Sequence, residues 1–148
     1  MIDPEAIIKL ICQYRHLWQF DVGMLAAQLQ VSPSYLREIA IIQFGTSPHR
    51  LIEWARLELA LDLLRHENCI YKVSLLSGYN SVRSFRRSFR TQISMTPSEF
   101  LRLPAAEQNA VIQSKLTVRF ASIDTRQERR LLPQNWPWLL ADKIVIQK

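Results

Sequence analysis

The residues best placed to do chemistry are four arginines in one short stretch, Arg83, Arg86, Arg87 and Arg90. A guanidinium is a planar, permanently charged fork. It donates paired hydrogen bonds to phosphate oxygens or to the major-groove edge of guanine. On a helix, positions 83, 86/87 and 90 share one face, while Phe85 and Phe89, four apart, form a ridge off that face. Such a helix buries its phenylalanines and turns its cations toward an acidic partner.

Charge along the chain supports that focus. The 148 residues hold 19 Lys and Arg against 13 Asp and Glu, a net +6, and fourteen of the basic residues are arginine. Residues 1–30 carry −1, 31–80 are neutral, 81–102 carry +4 and 103–148 carry +3. A basic cluster on a reading helix is the footprint of nucleic-acid binding, whereas a generic one is a solvated face. At 48% apolar and 22% charged, the chain suits one compact domain and not a disordered segment.

Other chemistries lack their residues. Apolar runs such as Ile39–Ile42 are far too short to span a membrane, and no secretory leader pattern opens the chain. Cys12 and Cys69 are the only cysteines, which excludes a disulfide scaffold and predicts a reduced, cytoplasmic protein with both thiols packed inside. His16, His49 and His66 have no paired ligand spacing, so no metal is expected. Three glycines in the whole chain leave no phosphate-cradling loop. No cofactor and no enzymatic activity are expected.

The elements that must position the arginines are marked by punctuation. Asp3-Pro4, Ser32-Pro33, Ser47-Pro48 and Thr96-Pro97 each set a capping side chain before a proline suited to the first helical turn. Thr96 to Glu99 also reads as a capping box, and Asp21 and Asn80 are further cap candidates. Gly45 and Gly78 follow apolar-periodic runs, where a left-handed residue ends a helix. Helices are predicted at about 4–17, 22–29, 33–44, 48–66, 71–77, 81–91 and 97–102. Residues 1–102 are therefore expected to be all-α.

Within them lie two helix-turn-helix patterns. In the first, Leu25, Ala26 and Leu29 form an inner face, Val31 plugs the turn, and Leu36 and Ile39 pack back. In the second, Val73, Ser74 and Ser77 precede the Gly78-Tyr79 turn into the arginine helix. The motif puts the outward start of its second helix into a major groove. Residues 48–66, predicted as one strut of roughly 28 Å, contribute Leu51, Ala55, Leu59 and Leu63. That length places two readers in successive grooves, which recur about every 34 Å on one face of the duplex.

From Asp21 to Arg102 the sequence resembles the AraC/XylS family of bacterial transcription regulators. Leu25-Ala26, Val31-Ser32-Pro33, Leu36, Gly45, Ser47-Pro48, Arg56-Leu57, Ala60 and Leu63-Leu64 carry the likeness in its first part. Gly78-Tyr79, Phe85, Arg87, Phe89-Arg90 and Met95–Arg102 carry it in the second. The resemblance implies two helix-turn-helix subdomains (21–45 and 71–102) joined by the 48–66 helix, double-stranded DNA as partner, and activation through RNA polymerase. Carried over by position, Ser34, Arg37 and Glu38 face bases in the first unit. Val82, Arg83, Arg86 and Arg87 do so in the second, with Arg90 nearer phosphate. The chain departs from the family at Gln30 and Ser94, where glycine is common, and at Ala40, where phenylalanine is usual. Ile41 and Ile42 replace basic residues. Those departures and the neutral 31–80 segment keep a second reading open, a protein-interaction module on the same fold. A third is a piece of a longer, effector-controlled regulator, since only helix 4–17 precedes the first unit.

Residues 103–148 form an extension of mixed character. A helix is expected over about 104–115, then β-prone runs at 116–120 and 143–147. Trp136 and Trp138 lie between them. Its apolar surplus predicts packing, either onto a second copy to form a homodimer or over the first unit above Ala40.

Overall fold

The computed structural model describes residues 2–123, with side chains through residue 114. Helices α1 (Pro4–Tyr14), α2 (Val22–Gln28), α3 (Pro33–Phe44) and α4 (Pro48–Leu64) are followed by α5 (Ile70–Leu76), α6 (Val82–Ile93), α7 (Pro97–Arg102) and α8 (Ala105–Ile123). All regular structure among the described residues is helical, so the expected all-α architecture of two helix-turn-helix units around a long central helix is what forms.

The caps work as their chemistry requires. Asp3, Ser32, Ser47 and Thr96 each accept a hydrogen bond from a backbone N–H of the following turn, with proline just inside the helix. The Thr96 hydroxyl accepts from the Glu99 amide at 3.1 Å while Glu99 Oε1 accepts from the Thr96 amide at 2.9 Å, closing the capping box. At α6 the cap is Ser81 and not Asn80, which instead accepts from the Ser84 hydroxyl. Gln30 and Ser94 adopt left-handed φ of 60° and 67°. Both are the positions where glycine was expected, and a side chain there costs about 1–2 kcal/mol.

Helix α4 is the hub, packed on α1, α3 and α5. At 17 residues it is about 25 Å long, two residues shorter than predicted. It is buried on nearly every side, through Leu51, Ile52, Trp54, Ala55, Leu57, Ala60, Leu61 and Leu64. Leu59 and Leu63, expected as core, are only half-buried, because neighbours on several sides leave no single inward stripe. In the second unit Phe85, Phe89 and Phe100 have no exposure. With Tyr79 they form a chain of rings with centroids 5.2, 5.7 and 5.7 Å apart, the edge-to-face spacing that aromatic quadrupoles favour.

The first helix stops at Tyr14, three residues early. The segment after it is held down by α4. Arg56 donates to three of its carbonyls, Arg15 O at 3.0 Å, Leu17 O at 2.8 Å and Phe20 O at 2.7 Å. Arg15 reaches back to Ala55 O at 3.1 Å and to Glu58 Oε1 at 3.0 Å. Gly78, in the turn of the second unit, abuts the same place: a Cβ there would stand 2.0 Å from Arg15 O. One clasp therefore joins α1, the central helix and the second turn.

Two further expectations are corrected. Residues 116–120 are helical, continuing α8 to Ile123, and not a strand. Five alternating residues do not separate the two periods, and no neighbouring strand lies among the described residues to pair with them. Cys69 is exposed, as the residue before α5 whose N–H donates to Glu67 Oε1 at 3.1 Å. Helix α8 packs on α6 and buries Ile112, and Arg65, at the end of α4, donates to Asn109 of α8. The 143–147 run, Trp136 and Trp138 lie outside the described residues.

Candidate nucleic-acid interface

Each unit exposes the start of its second helix by burying everything behind it. In the first, Leu25 and Ala26 of α2 pack against Leu36, Ile39 and Ala40 of α3, all at 3% exposure or less. Ser34, Arg37 and Glu38 are left exposed on the far side. Arg37 Nη2 donates weakly to Ser34 Oγ at 3.4 Å, which orients the guanidinium along the helix start. Further along α3, Ile41 and Ile42 are 58% and 62% exposed. That flank offers no hydrogen-bond donor to a phosphate.

The second unit is built more tightly. Ser74 and Ser77 are fully buried, and their hydroxyls donate to Tyr71 O and Val73 O, each at 2.6 Å. These small side chains satisfy themselves within α5 and let α6 cross close. Tyr79 lies against Phe85, its hydroxyl 3.3 Å from Ser88 Oγ, and burial pushes its pKa up to about 12. With Phe85 and Phe89 turned inward, Arg83, Arg86, Arg87 and Arg90 are all exposed, and Val82 is half-buried in the first turn. Among the described residues none of these arginines enters a salt bridge. No ion pair ties up their charge: the bonds from Thr96 hold the Glu99 carboxyl low, and Arg90 helps only through space.

Grooves flank α6 on both sides. Toward α7, Arg86, Arg87 and Arg90 line one of about 610 Å³ with Thr96 and Ser98. Toward α4, Arg87 lines another of about 310 Å³, opposite Arg50 and Glu53. The eight residues expected to contact DNA lie on exposed or rim positions at α3 and α6, and Arg50, which the sequence did not single out, lines the α4-side groove. Its charge is cancelled in the neutral 31–80 count, and its position beside Arg87 follows only from packing. The described residues contain no cluster of metal-ligating side chains. No helix among them is long and apolar enough to cross a membrane.

Two helix-turn-helix units presenting paired reading helices across one central helix define a class of DNA-binding regulator domain. Residues 25–103 match the helix-turn-helix domain family, and the chain belongs to that family, in its AraC-type branch of transcription regulators. It is 34% identical over 86 residues to the HTH-type transcriptional regulator GadX of Escherichia coli, covering 57% of this chain and 30% of that protein. It is 31% identical over 85 residues to the ornithine utilization regulator of Pseudomonas aeruginosa, covering 57% of this chain and 25% of that one. The aligned region thus spans under a third of either relative. Among solved structures, the C-terminal domain of the response regulator yesN from Fusobacterium nucleatum superposes with a TM-score of 0.62 at 26% identity, covering 66% of this chain and 94% of that one. A DNA-binding transcriptional dual regulator from Escherichia coli K-12 gives 0.58 at 29% identity, covering 65% and 86%.

Proposed function

We propose that this chain binds double-stranded DNA sequence-specifically, inserting α3 and α6 into successive major grooves, and thereby regulates transcription in the cytoplasm. The observation that carries the reading is α6 itself: four exposed arginines free of salt bridges among the described residues, set off a phenylalanine ridge with no exposure. Residues 21–102 are the DNA-binding domain. In it Arg83, Arg86 and Arg87 read base edges, Val82 meets a thymine methyl, and Arg90 holds a phosphate. Ser34, Arg37 and Glu38 read the other half-site with fewer charges, so the second unit dominates affinity. The likeness to family regulators supports action as an activator through RNA polymerase, and the apolar extension supports a homodimer.

Selection of bound sequences from random duplex DNA, followed by anisotropy titrations, tests this. Replacing Arg83 or Arg87 by alanine is expected to cost roughly 1–3 kcal/mol and to relax preference at one or two base pairs. Replacing Arg90 is expected to weaken all duplexes alike and to lower the salt slope by about one. A larger specific loss from Arg37→Ala would reverse the ranking of the units. Binding without salt dependence would leave the protein-interaction reading in its place.

A further inference from the structure

Arg87 stands on the ridge between the two grooves that flank α6. A helix lying in a major groove, roughly 12 Å wide, has a sugar-phosphate strand on each side. The α7-side groove carries its own arginines, 86 and 90. The α4-side groove has one cation besides Arg87, and it comes from the central helix. We infer that the groove between α4 and α6 seats one backbone strand and that Arg50 is its phosphate contact. The inference rests on the DNA reading proposed above.

Three features support it. Arg50 is exposed and forms no salt bridge among the described residues. Thr91 of α6, exposed on the opposite wall, offers a hydroxyl of the neutral kind that commonly accompanies arginine at phosphates, whereas the Ser84 hydroxyl is already given to Asn80 Oδ1. Glu53, the carboxylate at the same groove, is turned toward His49 at 3.5 Å. Arg50 then compensates for the missing basic residues at Ile41 and Ile42, from a different helix.

The test uses the full chain, a selected duplex and a scrambled one of equal length, titrated at several salt concentrations. Arg50→Ala is expected to lower the salt slope by about 0.9 on both duplexes, an affinity loss of about eightfold at 0.1 M salt. The selected sequence preference stays unchanged, and Arg50→Lys retains the slope because a point charge suffices. Glu53→Gln, which removes an anion from the groove, tightens both duplexes. Unchanged melting curves show that all three variants keep the fold. An unaltered slope in Arg50→Ala, or a loss confined to the selected duplex, overturns the inference while leaving the arginines of α6 as readers. A folded wild-type chain that binds neither duplex overturns the DNA reading and the inference together.

Discussion

Gly78→Ala places one methyl group where three parts of the molecule meet. The backbone there has φ of 94°, and the added Cβ would stand 2.0 Å from Arg15 O and 2.7 Å from Arg56 Nε. The first contact is with backbone, which does not swing aside as a flexible side chain would. The left-handed conformation alone costs a side chain about 1–2 kcal/mol. Pushing the 15–20 segment away adds about 1–3 kcal/mol of overpacking strain. If the Arg56 bond to Arg15 O is lost with it, a charge-assisted hydrogen bond adds about 1.5–3 kcal/mol. A stiffer unfolded chain returns about 0.4–1 kcal/mol. The expected net loss is about 4 kcal/mol, a fall in melting temperature of roughly 15 °C for a domain of this size. Urea and thermal unfolding followed by far-ultraviolet circular dichroism measure it. Arg56→Met removes the same clasp from the other side, so the two changes are expected to be non-additive. A loss below about 1 kcal/mol in Gly78→Ala, or strict additivity with Arg56→Met, would refute the clasp as the reason for this glycine.

The remaining expectations concern the core, a helix end and one buried acid. Phe89→Ala, which empties the centre of the aromatic chain, is expected to cost about 3–5 kcal/mol and to abolish DNA binding without touching a contact residue. An unchanged denaturation midpoint would place α6 elsewhere. Ser94→Gly relieves the left-handed strain at the end of α6 and is expected to stabilise by about 0.5–1 kcal/mol after the extra chain entropy of glycine; a lower melting temperature would contradict it. Glu58 is raised to about 7 by burial, against the pull of Arg15, with Asp62 adding to the rise. The folded state then holds this proton more tightly than the unfolded chain. Its contribution is most favourable below the ordinary value of 4.5 and is lost as pH climbs to about 7. The change is roughly 3 kcal/mol at most. The difference in stability between wild type and Glu58→Gln should slope across that window and flatten above it, and a flat difference throughout would remove Glu58 as the titrating group.

What the sequence determined by itself was local. A capping side chain, its proline and the amides it satisfies lie within four residues of one another, so Ser32-Pro33, Ser47-Pro48 and Thr96–Glu99 announced their helices without any fold. The Phe85–Phe89 ridge and the arginines set off it are likewise properties of one helix, and which face of α6 is buried and which exposed was legible from spacing alone. Gln30 and Ser94, where the motif and the family resemblance put glycine, are both left-handed.

Tertiary structure decided what depends on distant partners. Arg56 is an ordinary helical arginine in the sequence, and only packing brings it to carbonyls 36 to 41 positions away. Gly78 looked like a turn residue on conformational grounds, whereas its second reason, the approach of Arg15 O, lies in another helix's end. Residues 116–120 alternate as a strand would, but five residues fit a helix as well, and the chain extends α8. Arg50 joins Arg87 across a groove that no window of sequence contains. Contacts within a turn are written in neighbouring residue types, while contacts between helices depend on which faces the whole core leaves outside, and that is settled only when all of them pack at once.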